Sequence, residues 1–81
     1  MRIFLFGKLA ERVGREVEYD VPADGCTVGE LRRGLAAAVP PIADTLAQLS
    51  TRACIDREMV SENARVLPGQ EVAFVPPLSG G

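Results

Sequence analysis

Leu67-Pro68-Gly69-Gln70-Glu71-Val72-Ala73-Phe74-Val75-Pro76-Pro77 decides the fold of this chain. Pro68-Gly69 is turn chemistry, because proline presets φ at one corner and glycine takes a positive φ at the next without strain. Val72 to Val75 is apolar at every position, so both faces of that strand want cover and it is predicted to be central in its sheet. Pro76 and Pro77 have no N–H to give to a ladder, so the strand stops there and the chain is pushed off the body.

Upstream, Ile3 to Phe6 is a second continuous apolar run, ended by Gly7, and Glu16-Val17-Glu18-Tyr19-Asp20-Val21 alternates polar and apolar at period 2. The two read as a β-hairpin opening the domain. Pro22-Ala23-Asp24-Gly25 is a turn, and Thr27-Val28-Gly29-Glu30 has the spacing of a capping box that starts a helix. Val28, Leu31, Leu35 and Val39 follow helical spacing, with Glu30, Arg32 and Arg33 assigned to the outer face, until Pro40-Pro41 stops the helix. Ile42 to Leu49 reads as a second short helix. Arg52 to Ile55 reads as a strand, Asp56-Arg57-Glu58 as a turn, and Met59-Val60 as its return before a loop through Glu62-Asn63-Ala64.

Two strands, one crossing helix and then further strands give the order β-β-α-β-β-β, which is that of an α+β domain with the β-grasp (ubiquitin-like) fold. The expectation is a mixed sheet of about five strands with one main crossing helix, the last strand lying beside the first. Residues 1–75 form one domain and residues 76–81 an extended tail.

Composition narrows the function. The chain has 81 residues, 47% of them hydrophobic and 25% charged, which suits one small compact domain. Its nine basic residues are scattered and the net charge is −2, which argues against binding nucleic acid, a task that needs clustered cations. No apolar run approaches the roughly 20 residues that span a bilayer, and the first residues lack the pattern of a signal peptide, so no membrane role and a cytoplasmic location are expected. Cys26 and Cys54 with no histidine are too few for a metal site, and Cys54 between Ala53 and Ile55 reads as a small buried hydrophobe. No nucleophile sits beside a base, no glycine loop cradles phosphate, and no resident cofactor is expected. Glu58 and Glu62 read as solvated loop charges.

That leaves the end of the chain as the chemical group. Pro76-Pro77-Leu78-Ser79-Gly80-Gly81 reaches up to about 20 Å when extended and carries no charged side chain. Its last two residues have no side chain at all, so the segment can thread a narrow channel and deliver the Gly81 carboxylate to a buried site on a partner. Two terminal glycines arise by chance in only about 0.5% of chains at ordinary glycine usage.

The run from Leu67 to Gly81, with the opening Ile3-Phe4-Leu5-Phe6 strand and the Thr27-Val28 helix start, resembles the MoaD family, the sulfur-carrying small subunit of molybdopterin synthase. Val75 stands where some members of that family carry a second aromatic residue. The resemblance implies that the chain is not an enzyme on its own. A separate adenylating enzyme would use ATP to activate the Gly81 carboxylate, and a persulfide donor would supply sulfur to make a Gly81 thiocarboxylate. The arm Pro76, Pro77, Leu78, Ser79 and Gly80 would then carry it into the large synthase subunit, in a heterotetramer, to sulfurate a pterin precursor of molybdenum cofactor. It also implies that Phe6, Met59 and Val75 form the partner interface, while on its residues alone Phe6 reads equally well as core. Competing readings are a sulfur carrier for thiamin or another pathway, a ubiquitin-like protein modifier, and an interaction module with an inert tail.

Overall fold

The computed structural model describes residues 1–77. Strand β1 (Arg2–Leu5) leads into helix α1 (Lys8–Val13), followed by β2 (Glu16–Glu18), β3 (Cys26–Thr27) and the main helix α2 (Val28–Ala38). A single 3-10 turn at Pro40–Ile42 precedes α3 (Ala43–Ala47), and the chain closes with β4 (Arg52–Ile55), β5 (Glu58–Val60), β6 (Arg65–Val66) and β7 (Val72–Val75). Five strands make one mixed sheet in the order β2-β1-β7-β4-β5, and β3 and β6 pair separately. The final strand is central, as its two apolar faces predict. It runs parallel to β1, with Leu5 opposite Phe74, and antiparallel to β4, with Arg52 opposite Val75. The fold is the expected α+β β-grasp.

The alternation of each strand divides the sheet into two faces. Ile3, Leu5, Ala53, Val72 and Phe74 are buried and pack with Leu9, Val28, Leu31, Leu35, Ile42 and Leu46 from the helical side, forming the core. The other face carries Phe4, Cys54, Met59, Ala73 and Val75. Cys54 lies directly opposite both Ala73 and Met59, and it is half-buried there rather than in the core. The expectation of a buried Cys54 fails because its strand neighbours Ala53 and Ile55, not Cys54, have the inward phase.

β1 and β2 do pair antiparallel, with Ile3 opposite Val17, but they are joined by a helix and not by a simple hairpin loop. Six residues are too few to show a helical period in sequence, and so short a helix holds only through packing, here of Leu9. The start of α2 is as expected. The Thr27 hydroxyl accepts from Glu30 N–H at 3.1 Å, and Thr27 N–H donates to Glu30 Oε1 at 2.8 Å. Val28 and Gly29 N–H donate to the carbonyls of Ala64 and Glu62, both at 3.0 Å, so the first turn leaves few donors unmet. The capping hydrogen bonds from Thr27 also hold the Glu30 carboxyl below its ordinary range.

Candidate functional site at the tail exit

The ladder holds β7 to its end, with Phe6 N–H donating to Phe74 O at 3.2 Å and Val75 opposite Arg52, and Pro76 then leaves the sheet. Pro76 passes directly over Gly7. A Cβ on Gly7 would lie 3.0 Å from Pro76 Cγ, and Gly7 has φ +61°, so glycine is needed here both for space and for backbone conformation. Two grooves meet at this point and share Phe6, Pro76 and Pro77. One continues along Lys8, Leu9, Thr45, Gln48 and Thr51. The other continues along Leu49, Ser50, Arg52, Met59 and Val75.

Phe6, Met59 and Val75 are therefore neighbours around the second groove. Phe6 is 50% exposed and Met59 54%, and Leu49, which the sequence did not single out, is 68% exposed beside them. Phe6 is thus not core, because it continues the outward phase of Phe4 past the end of β1. A third apolar hollow lies behind them on the open sheet face, lined by Phe4, Phe6, Cys54, Ala73 and Val75, with the Arg57–Glu71 ion pair at its edge.

The wall carrying Gln48 to Thr51 is fixed from within the molecule. Arg32 Nη1 donates to the carbonyls of Leu46 and of Gln48, the latter at 3.2 Å, capping the end of α3. Its Nε and Nη2 donate to the two carboxylate oxygens of Glu62 at 2.9 and 2.7 Å, and its guanidinium lies 5.2 Å from the centroid of the Phe74 ring. Thr51 adds a hydroxyl bond to Thr45 O at 3.1 Å. The side-chain hydrogen bond from Arg32 holds the Glu62 carboxyl below its ordinary range, against the opposing effect of burial.

These contacts correct two expectations. Arg32 is 5% exposed and not on the outer face of α2, and Glu62 is a partnered anion and not a free loop charge. The signal was present in the sequence, since Arg32 sits four residues after Val28 and three before Leu35, on the apolar stripe itself. Glu58 is exposed, as expected of a loop charge.

No acid–base machinery surrounds the exit: Lys8 and Arg52 are the only charged side chains lining its two grooves among the described residues. Cys26 is buried, and burial first, then Glu30, pushes its thiol up, away from the thiolate a nucleophile needs. Among the described residues no group of three or more His, Cys, Asp or Glu is placed to hold a metal ion. The expected arm residues Leu78, Ser79 and Gly80, and Gly81, expected to be the reacting residue, lie outside the described residues.

The family model described as the ThiS family matches residues 3–81. The chain belongs to the ThiS family. It is 34% identical to the molybdopterin synthase sulfur carrier subunit of Dictyostelium discoideum, over 99% of this chain and 94% of that one. It is 33% identical to the protein of the same name in Escherichia coli (strain K12), over 100% and 99%. Its fold matches the crystal structure of SAMP1, the small archaeal modifier protein 1 of Haloferax volcanii, with a TM-score of 0.77 and 29% identity over 99% of this chain and 97% of that one. The ThiS-family match thus takes in the β-grasp body, the exit at Pro76-Pro77 and the Gly80-Gly81 end together.

Proposed function

We propose that this ThiS-family chain is the sulfur-carrying, non-catalytic small subunit of a molybdopterin synthase, and that Gly81 is its reacting residue. The observation that carries the reading is the tail exit: a strand anchored in the middle of the sheet runs into two prolines between apolar grooves that no carboxylate, histidine or cysteine lines among the described residues. The likeness to two sulfur carrier subunits over 99% and 100% of this chain supports sulfur as the cargo.

A carboxylate is a poor electrophile, so an adenylating enzyme first joins the Gly81 carboxylate to AMP from ATP, releasing pyrophosphate. The terminal sulfur of a persulfide donor displaces AMP, and a second thiol of the donor system takes the other sulfur as a disulfide, leaving a Gly81 thiocarboxylate. Phe6, Met59 and Val75 dock on the large synthase subunit, and Pro76 to Gly80 form the arm inserted into it. There the thiocarboxylate sulfur forms a carbon–sulfur bond to the pterin precursor as a carbon–oxygen bond of the precursor breaks, and water cleaves the resulting thioester, leaving the sulfur on the precursor as a thiol and restoring the Gly81 carboxylate. The assembly is a heterotetramer working in the cytoplasm.

The test is reconstitution of synthase activity from the large subunit, the adenylating enzyme, ATP and a persulfide donor. Deleting Gly80-Gly81 is expected to abolish product while leaving the urea unfolding midpoint unchanged; product formation by the truncated chain overturns the reading. The likeness to SAMP1 favours one second reading, a protein modifier joined through Gly81 to lysines of other proteins. Incubation with ATP, adenylating enzyme and cell lysate separates the two, since a modifier yields larger covalent conjugates and a carrier yields none.

A further inference from the structure

The tail exit is locally positive in a chain whose net charge is −2. Lys8 lines one of the grooves flanking Pro76 and Pro77 and Arg52 lines the other, and no Asp or Glu among the described residues lines either. Three arginines meet carboxylates, Arg2 at 3.5 Å from Glu16, Arg57 at 3.4 Å from Glu71 and Arg32 at 2.7 Å from Glu62, and of the basic residues without such a partner among the described residues only Lys8 and Arg52 line the exit grooves. Lys8 and Arg52 have no such partner within ion-pair distance among the described residues. The field of Arg52 does reach Glu62 and helps to hold its carboxyl down, but both oxygens of Glu62 already accept from Arg32. Both cations are exposed, Phe6 lines both grooves, and the exposed Leu49 and Met59 line the groove that holds Arg52.

An apolar centre with charges at its rim is the anatomy of a protein interface, in which the centre supplies affinity and the rim charges govern partner choice and association rate. We propose that Lys8 and Arg52 are the electrostatic specificity determinants of the exit, and that the surface of the large synthase subunit that receives the tail carries a carboxylate opposite each cation. This rests on the reading of the chain as a carrier that docks by this face, and it adds the sign of the partner's rim. A receiving surface with a basic rim is rejected even where its apolar centre fits.

The experiment is association of the chain with the large synthase subunit of the same organism, followed by stopped flow at about 0.05 M and about 0.5 M salt, for the native chain, Lys8→Glu and Arg52→Glu. Each reversal is expected to slow association about tenfold at low salt, with the difference shrinking at high salt. Met59→Ser serves as a contrast, raising the dissociation rate with little change in salt dependence. Native association rates in both charge variants, or losses equal at both salt concentrations, overturn the inference while leaving the carrier reading in place. Failure of the native chain to bind the large subunit removes both.

Discussion

Arg32 holds Glu62 through two parallel hydrogen bonds, Nε to Oε1 at 2.9 Å and Nη2 to Oε2 at 2.7 Å, while its remaining nitrogen caps the carbonyls of Leu46 and Gln48. One side chain thus ties α2 to the loop before β6, to the wall of the tail exit, and to Phe74 beneath the root of the tail. Replacing Arg32 by Met orphans the buried Leu46 carbonyl and strips Glu62 of its cation, while Gln48 O still accepts from Thr51 N–H at 3.0 Å, and is expected to destabilise by about 2–3 kcal/mol. Glu62→Gln keeps one acceptor, and because Glu62 is partly solvated its expected loss is smaller, about 1 kcal/mol. Urea unfolding midpoints measure both, and an Arg32→Met variant as stable as the native chain would contradict the clamp.

The same pair sets an acid limit. The Glu62 carboxyl titrates lower in the folded chain than in the unfolded one, so its contribution is complete above the unfolded pKa and is lost as pH falls through the folded pKa. Stability is therefore expected to decline below about pH 4.5. Glu62→Gln is expected to flatten part of that decline, and the lowered carboxyl of Glu30 in the capping box to account for a further part, which Glu30→Gln removes. Unfolding midpoints from neutral to acidic pH test this, and identical pH profiles for the native chain and both variants would contradict it.

Gly7 is where body and tail touch. A β-branched side chain there meets Pro76 and must also adopt φ near +61°, so Gly7→Val is expected to destabilise by about 2 kcal/mol and to re-aim the tail. The check is a pair of measurements, urea stability and the nuclear Overhauser contact between residue 7 and Pro76. Retention of both in the variant would show that the contact does not constrain the exit.

Most of this architecture was legible in the sequence, and what escaped did so for identifiable reasons. The central place of Val72–Val75, the capping box at Thr27 and Glu30, and the strand at Arg52–Ile55 each rest on a local rule that tertiary packing reinforces. Helix α1 escaped because one inward residue, Leu9, makes no period, and the two-residue strands Cys26–Thr27 and Arg65–Val66 were too short to alternate. Arg32 was misplaced by its charge. Helical spacing puts it inward, and partners 14, 16 and 30 residues away, the carbonyls of Leu46 and Gln48 and the Glu62 carboxylate, make that burial tolerable. At the exit, Phe6, Met59 and Val75 were named together, whereas Gly7, Leu49, Lys8 and Arg52 join them only through the fold.

The exposed floor of the exit has little to do for stability. Phe6→Ser and Met59→Ser are each expected to change the unfolding free energy by no more than about 0.5 kcal/mol. Each is expected to weaken binding to the large synthase subunit by about tenfold or more. Calorimetric titration of the two variants checks the second figure, and native affinity in both would place the interface elsewhere.

The most direct test of the carrier account is the intact mass of the chain isolated from cells that make molybdenum cofactor. The account predicts a species in which one oxygen of the Gly81 carboxylate is replaced by sulfur, present in the native chain and absent when Gly81 is deleted. A carboxylate that stays unmodified, even with adenylating enzyme, ATP and a persulfide donor supplied, would contradict it.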